Sequence, residues 1–319
     1  MGVRRPPTPR TGPPAVVSAP SVRRAALPTR RRRRLADNAL AYAFLSAALV
    51  CFAVFSWYPM VRGVMLSFQQ DNLVTDPIWV GVDNYRNVLS DPLFVTAWVN
   101  TFKFTGLALV FGYAVPFALA VLLNELRHFT GFFRLAVYLP VMLPPIVTVL
   151  LWQYFYDPGA GLFNTVLSGL HLPTSAWTQD ASTAMISLVF VSTWANMGGA
   201  TIIYLAGLQN IPGELYEAAE IDGAGLWQRL RHVTLPQMRF LLLVMLLLQI
   251  IATMQVFIEP YQLTGTTTPS TITVMILVYR YAFTVNNDFG LAAAMSVLLF
   301  VVLGLFSAVY LRITRGRTD

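Results

Sequence analysis

The chain has 319 residues, of which 56% are hydrophobic and only 12% charged, with a mean hydropathy of +0.59. Soluble domains carry about 25% charged residues, so a water-soluble globular protein is excluded. Net charge is +7 and nearly all of it is arginine, with Lys103 the only lysine. No glycine-rich run precedes that lysine, which excludes a GxxxxGK[ST] phosphate-binding loop. One cysteine, Cys51, excludes a disulfide within the chain.

Residues 1 to 34 hold ten arginines, seven prolines and no acid. Such a composition has too little apolar surface to bury, so a disordered basic cytoplasmic tail is expected over 1–35. The arginines of 30–34 abut the first apolar stretch, as a cytoplasmic retention signal touching anionic lipid would. Nucleic acid is not the expected partner. A cleavable signal peptide does not fit an apolar stretch this long that is followed by further spans.

From residue 36 onward the apolar runs are about 20 residues long, enough to cross a hydrocarbon core of roughly 30 Å. They predict an all-α polytopic membrane protein with spans near 36–58, 97–123, 135–156, 184–208, 240–258 and 290–311. Pro140, Pro144 and Pro145 fall inside the third and predict a kink. Between spans, arginine alternates. It is present in 124–134 (Arg127, Arg134), in 209–239 (Arg229, Arg231, Arg239) and after Arg312. It is absent from 157–183, limited to Arg280 in 259–289 and to two residues in 59–96. The positive-inside rule then predicts that both termini are cytoplasmic.

The cytoplasmic segment 209–239 carries four acids and two arginines between Glu214 and Pro236. Asn210 is a plausible cap, Pro212 suits a first helical turn, and Gly223 is a natural stop. A second short helix is expected over 226–233, closing at Pro236. Leu215, Ala218, Ala219 and Asp222 share one face, with Glu214, Glu217 and Glu220 beside it. Two readings compete: an amphipathic pair on the membrane surface, or a docking element for a protein. Four acids would be repelled by anionic lipid, which favours the protein.

Glu217-Ala218-Ala219, Asp222-Gly223-Ala224 and Thr234-Leu235-Pro236 together resemble the EAA motif of binding-protein-dependent ABC importer permeases. The resemblance runs from about Leu40 to Arg315 and points to the carbohydrate branch, of the maltose and glycerol-phosphate permease type. It rests also on Tyr58-Pro59 after the first span, Leu66-Ser67-Phe68, Gly81 with Asn84-Tyr85, and Asp91-Pro92 with Phe94. Asn100-Thr101, Phe133-Arg134, Leu139-Pro140, Trp152, Pro158, Gly161, Asn164, Tyr279-Arg280, Phe283 and Gly290 to Ala294 continue it. Gly265-Thr266-Thr267-Thr268-Pro269 departs from the glycine run of that branch. The resemblance implies the type I ABC importer permease fold in its six-span form, in a prokaryotic inner or plasma membrane. It implies a second homologous permease, a separate ABC ATPase dimer that uses ATP and Mg, and an extracytoplasmic solute-binding protein. Glu217, Ala218, Ala219, Asp222, Gly223, Leu235 and Pro236 would then couple the permease to the ATPase. No cofactor is expected on this chain itself.

Few charges fall inside the spans, and no acid lies at mid-depth as a proton-coupled carrier would require. Trp194, Asn196, Gly199 and Tyr204 in the fourth span, with Thr253, Gln255 and Glu259 at the fifth, are candidates for a substrate pathway. Uncharged hydrogen-bonding groups beside aromatic faces suit a sugar. The same residue types also hold helices together or form interfacial belts. The resemblance favours the pathway reading for Asn196 and Gln255. Gly198-Gly199 allows either close helix approach or local unwinding. His128, His171 and His232 are scattered over loops and read as solvated residues; neither a catalytic constellation nor a metal site is expected. The function implied is transport of a sugar or sugar derivative by alternating access, without chemistry on this chain. The alternatives are an ABC permease for another solute, an ion-coupled carrier and a membrane enzyme. If the tail serves only topology, deleting residues 1–30 leaves uptake by cells expressing the full system largely unchanged. Lost uptake would give the tail a specific partner.

Overall fold

The computed structural model describes residues 2, 30–126, 130–285 and 287–315. Most of the expected tail, and Arg127 and His128 of the 124–134 loop, lie outside these residues. Residues 30–35 were assigned to the tail but form the first turns of α1 (Arg30–Phe52); arginine is a good helix former once an apolar helix propagates into it.

The chain divides into two compact units, Met1–Pro59 and Met60–Asp319. In the first, α1 is followed by a π turn, Ala53–Trp57, and by the start of α2 (Tyr58–Leu66). Tyr58-Pro59 therefore does not follow the first span, as expected, but lies within a helical stretch, and the apolar segment is Tyr42–Leu66. The N–H of Tyr58 donates to the carbonyl of Ala53, five residues back. That register shift opens the helix where the Pro59 ring would otherwise meet a carbonyl.

The second unit continues through a two-residue hairpin, β1 (Gln69–Gln70) with antiparallel β2 (Ile78–Trp79), and α3 (Asp83–Ser90). Then follow α4 (Phe94–Glu125), α5 (Thr130–Met142), α6 (Pro145–Phe155), α7 (Leu162–Gly169) and α8 (Ala184–Gln209). After α9 (Gly213–Ile221) and α10 (Leu226–Arg229) comes a second π turn, Leu230–Thr234, and α11 (Leu235–Met254). The chain ends with α12 (Ile258–Leu263), α13 (Val274–Tyr279) with its π turn Arg280–Thr284, and α14 (Phe289–Arg315). Five apolar helices among the described residues are long enough to cross a bilayer, and α5 with α6 makes a sixth span if counted as one.

The kink expected in the third span is a full break. Gly131–Met142 and Pro145–Phe155 are bent by 101°. Pro140 is accommodated within α5. Pro144, standing before another proline, is driven out of the helical region to φ −55°, ψ 138°. It caps α6 by accepting from Val147 N at 2.9 Å. The fifth span is also corrected. Its helix is already under way before 240, with α11 beginning at Leu235, and stops at Met254, so that Gln255 is its C-cap and Glu259 sits on the separate α12. The 259–289 segment, expected as a connection, contains α13, whose Val274, Ile276 and Leu277 are buried.

Helix α4 packs on α8, with Phe104, Ala108, Leu188 and Val189 buried in one cluster and Ala120, Tyr204 and Leu208 in another. Small residues set the close approaches, as membrane helix packing requires. A Cβ on Gly198 would stand 2.6 Å from the Val137 carbonyl oxygen and 3.0 Å from Tyr138 Cα of α5. Because α8 is unbroken, Gly198 serves close approach and not unwinding. Gly199, its neighbour, has nothing within 4 Å of that position. Gly198→Ala therefore forces backbone apart and lowers stability by about 1–3 kcal/mol, read as an earlier thermal transition in detergent, whereas Gly199→Ala leaves the transition in place.

Candidate functional site

The residues expected to carry the function separate into three environments. Many of the motif residues of the segments between spans are polar clamps. Asn100 Nδ2 donates to the carbonyls of Pro269 and Ile272 at 2.8 and 2.9 Å, and Thr101 Oγ1 accepts from Val274 N at 3.0 Å. Together they fix the start of α13 against α4. Asn84 Nδ2 donates to the carbonyls of Ser67 and Gln69 at 3.1 and 2.8 Å, and Tyr85 Oη pairs with Ser67 Oγ at 2.7 Å. Asn164 donates to the carbonyls of Pro158 and Ser175 at 3.0 and 2.8 Å and accepts from Trp177 Nε1 at 3.0 Å. Buried polar groups of this kind are costly unless paired, so each clamp fixes one loop geometry. At the departing segment 265–269, Gly265 has φ +77° and Arg280 donates to the Thr266 carbonyl at 2.8 Å.

The second environment is the helix-turn-helix between α8 and α11. Asn210 is not its cap: Asn210 closes α8, its Nδ2 bonding to the Ala206 carbonyl at 3.0 Å, and Pro212 stands at the N-cap of α9. Gly223, at φ +76°, ends α9. Ala224 N donates to the Ala219 carbonyl at 2.8 Å and Gly223 N to the Glu220 carbonyl at 3.0 Å, the Schellman arrangement that only a left-handed residue permits. The two arms are tied by an ion pair of Glu220 with Arg229 and by Tyr216 Oη with Thr234 Oγ1 at 3.0 Å.

The second arm does not close at Pro236. Leu235 N donates to the Leu230 carbonyl, five residues back, and the helix runs on through Pro236 without a break over 226–254. Glu217, Ala218, Asp222, Gly223, Leu235 and Pro236 are all exposed and Ala219 is partly covered. Ile221 at 87% and Trp227 at 71% exposure, with Leu226 beside them, are exposed apolar knobs on this acidic element. Neither was singled out in the sequence, where each looks like a core residue of its short helix.

The third environment is a cavity of about 550 Å³ between α4, α8, α11 and the chain that follows α11. Asn196, Thr253, Gln255 and Glu259 line it, joined by Ser192, Thr193, Gln249 and Phe257. Asn196 Nδ2 bonds back to the Ser192 carbonyl at 2.9 Å and Gln255 Nε2 to the Ile251 carbonyl at 3.0 Å, so each amide oxygen stays available. Thr193 Oγ1 is buried without a hydrogen-bond partner. Gly112 of α4 makes room for the amide of Gln249, which a Cβ there would meet at 2.8 Å. Gln249 is, with Thr253 and Gln255, among the polar residues that the sequence places at membrane depth in the fifth span; the missed Ser192 had a readable signal, lying one helical turn before Asn196.

The remaining pathway candidates lie elsewhere. Tyr204 is 1% exposed and packs edge-on against Tyr113 and Phe117 in the core. Trp194 packs edge-on against Trp152, ring centroids 5.7 Å apart. Gly199 is not on the cavity wall. An aromatic ring in a membrane helix gains as much from a protein neighbour as from a ligand, and residue type alone does not distinguish the two.

Known proteins share this architecture. The chain is 35% identical to the probable ABC transporter permease protein YurN of Bacillus subtilis (strain 168), over 83% of this chain and 92% of that one. It is 32% identical to the trehalose/maltose transport system permease protein MalF of Thermococcus litoralis, over 88% and 95%. Its fold superposes on a chain from the crystal structure of a bacterial ABC transporter involved in the import of the acidic polysaccharide alginate. The TM-score is 0.80 at 26% identity, covering 91% of this chain and all of the other. Residues 112–318 match the family described as binding-protein-dependent transport system inner membrane component, and with that match the chain belongs to this family.

Proposed function

We propose that the chain is the permease subunit of an ATP-driven ABC importer for a sugar or sugar derivative. It forms half of the translocation pathway, the other half coming from a second, related permease. The observation that carries this reading is the cavity. Its polar wall is made of hydroxyls, carboxamides and the carboxylate of Glu259, and Phe257 offers a ring beside them. Sugar hydroxyls need such partners, and sugar ring faces need such a surface. The saccharide cargoes in the names of the relatives support the same class.

Energy enters through the 209–239 element, docked on a separate ABC ATPase dimer that binds ATP and Mg; this chain holds no cofactor. An uninterrupted helix over 226–254 is a rod of about 42 Å at 1.5 Å per residue. One end carries the exposed docking residues and the other carries Gln249 and Thr253 of the cavity wall. Closure of the ATPases tilts the rod and switches the cavity between the two sides of the membrane. An extracytoplasmic solute-binding protein delivers the sugar when the cavity faces outward. The alternation of arginine supports cytoplasmic termini for this multi-pass protein of a prokaryotic inner or plasma membrane. On this reading residues 1–35 are a cytoplasmic tail and 36–319 the transmembrane domain.

Glu217→Lys reverses charge on the docking face, and Gly223→Val forces a β-branched residue into a left-handed turn, at about 1–2 kcal/mol. Both uncouple the transporter: in proteoliposomes, labelled-sugar uptake falls while ATP hydrolysis by the assembled complex persists. Normal uptake in both would overturn the docking assignment. Asn196→Leu and Gln249→Leu each remove a ligand hydrogen bond and reduce uptake at low sugar concentration by about tenfold, with assembly unchanged.

A further inference from the structure

The large cavity has a smaller neighbour of about 170 Å³, walled by Pro140, Leu143, Pro145 and Thr148 of the broken helix pair. Asn196, Ile258 and Glu259 line both. Glu259 is thus the shared wall between the main chamber and the space behind the α5–α6 break. Among the described residues it is also the only ionisable one on either lining. The salt bridges among the described residues join Arg86 to Asp83 and Arg229 to Glu220, and Glu259 takes part in neither. Ser192 of α8 lines the main chamber together with it. Arg280, the cation of the same outer segment, spends its guanidinium on the Thr266 carbonyl.

A carboxylate with no ion-pair partner among the described residues, on the wall of a chamber that opens to solvent, sets the sign of the potential there. Sugar hydroxyls and ammonium groups donate to such an oxygen in charge-assisted hydrogen bonds. A solute carboxylate, sulfonate or phosphate would be desolvated against a like charge. We propose that Glu259 makes this cavity a charge filter, admitting neutral and amino-bearing saccharides and rejecting anionic ones. This inference rests on the cavity being the sugar pathway.

The test uses the complete transporter in proteoliposomes. Cys51, the single cysteine, is replaced by serine and a reporter thiol is placed by Asn196→Cys or Gln255→Cys. Its reaction rates with a trimethylammonium and a sulfonate methanethiosulfonate reagent are each normalised to a free thiol in solution. The expected cation-to-anion ratio is well above one and falls about tenfold in Glu259→Gln, whereas Glu259→Asp retains it. Ser192→Lys, which sets a cation beside an intact Glu259, collapses the ratio in the same way. A ratio unmoved by both Glu259→Gln and Ser192→Lys overturns the filter even where modification blocks uptake. Full modification of either reporter with uptake intact instead overturns the pathway reading, and the filter with it.

Discussion

At membrane depth every backbone donor and acceptor must find a partner within the protein, and prolines are where this chain meets that constraint. Each proline removes a donor and pushes a carbonyl aside, costing a helix interior about 3 kcal/mol or more. Two solutions recur. Before Pro59 and Pro236 the preceding residue, Tyr58 or Leu235, donates five residues back. The helix widens by one residue and continues. At Pro144-Pro145 no such shift is possible, because the first proline is itself excluded from helical backbone by the second. The chain turns by 101° and restarts. Continuity of the 226–254 rod and discontinuity of the third span follow from the same rule applied to different neighbours.

These two outcomes set the geometry around the cavity. The break lets α5 approach α8 at Gly198 and leaves a chamber behind α6, while the rod brings α11 beside α8 along the opposite wall. Polar groups one turn apart on α8 and α11 then face a common space. The clamps made by Asn84, Asn100, Thr101 and Asn164 hold hairpin, loop and α13 in place with hydrogen bonds from buried side chains. Clamped loops and a tied helix-turn-helix at the ends of the same helices leave little compliance to absorb a motion of those helices.

The charge distribution has a parallel logic. Arginines crowd the segments that the positive-inside rule would place in the cytoplasm, the helix-turn-helix of 209–239 adds acids to them, and the cavity wall carries hydroxyls, amides and one carboxylate. An ionisable group at membrane depth is costly, so that carboxylate stands apart from its surroundings.

Composition and periodicity alone determine the class, an all-helical membrane chain, and most of its spans, because a stretch that must cross lipid has to be apolar along its whole length. Local chemistry also suffices for Gly223, whose left-handed turn is a property of one residue and its neighbours. Whether Pro236 would end a helix or ride through it was settled locally, by the Leu230 carbonyl becoming available to Leu235. Other features depend on neighbours distant in sequence. Tyr204 and Asn196 are equally plausible pathway residues on a helical wheel. Only the packing of α4 against α8 turns the tyrosine into core and leaves the asparagine on the cavity wall. Burial in a membrane protein has no hydrophobic signature, since lipid and protein interior are alike apolar, and so which face meets protein, lipid or cargo is decided by the tertiary structure.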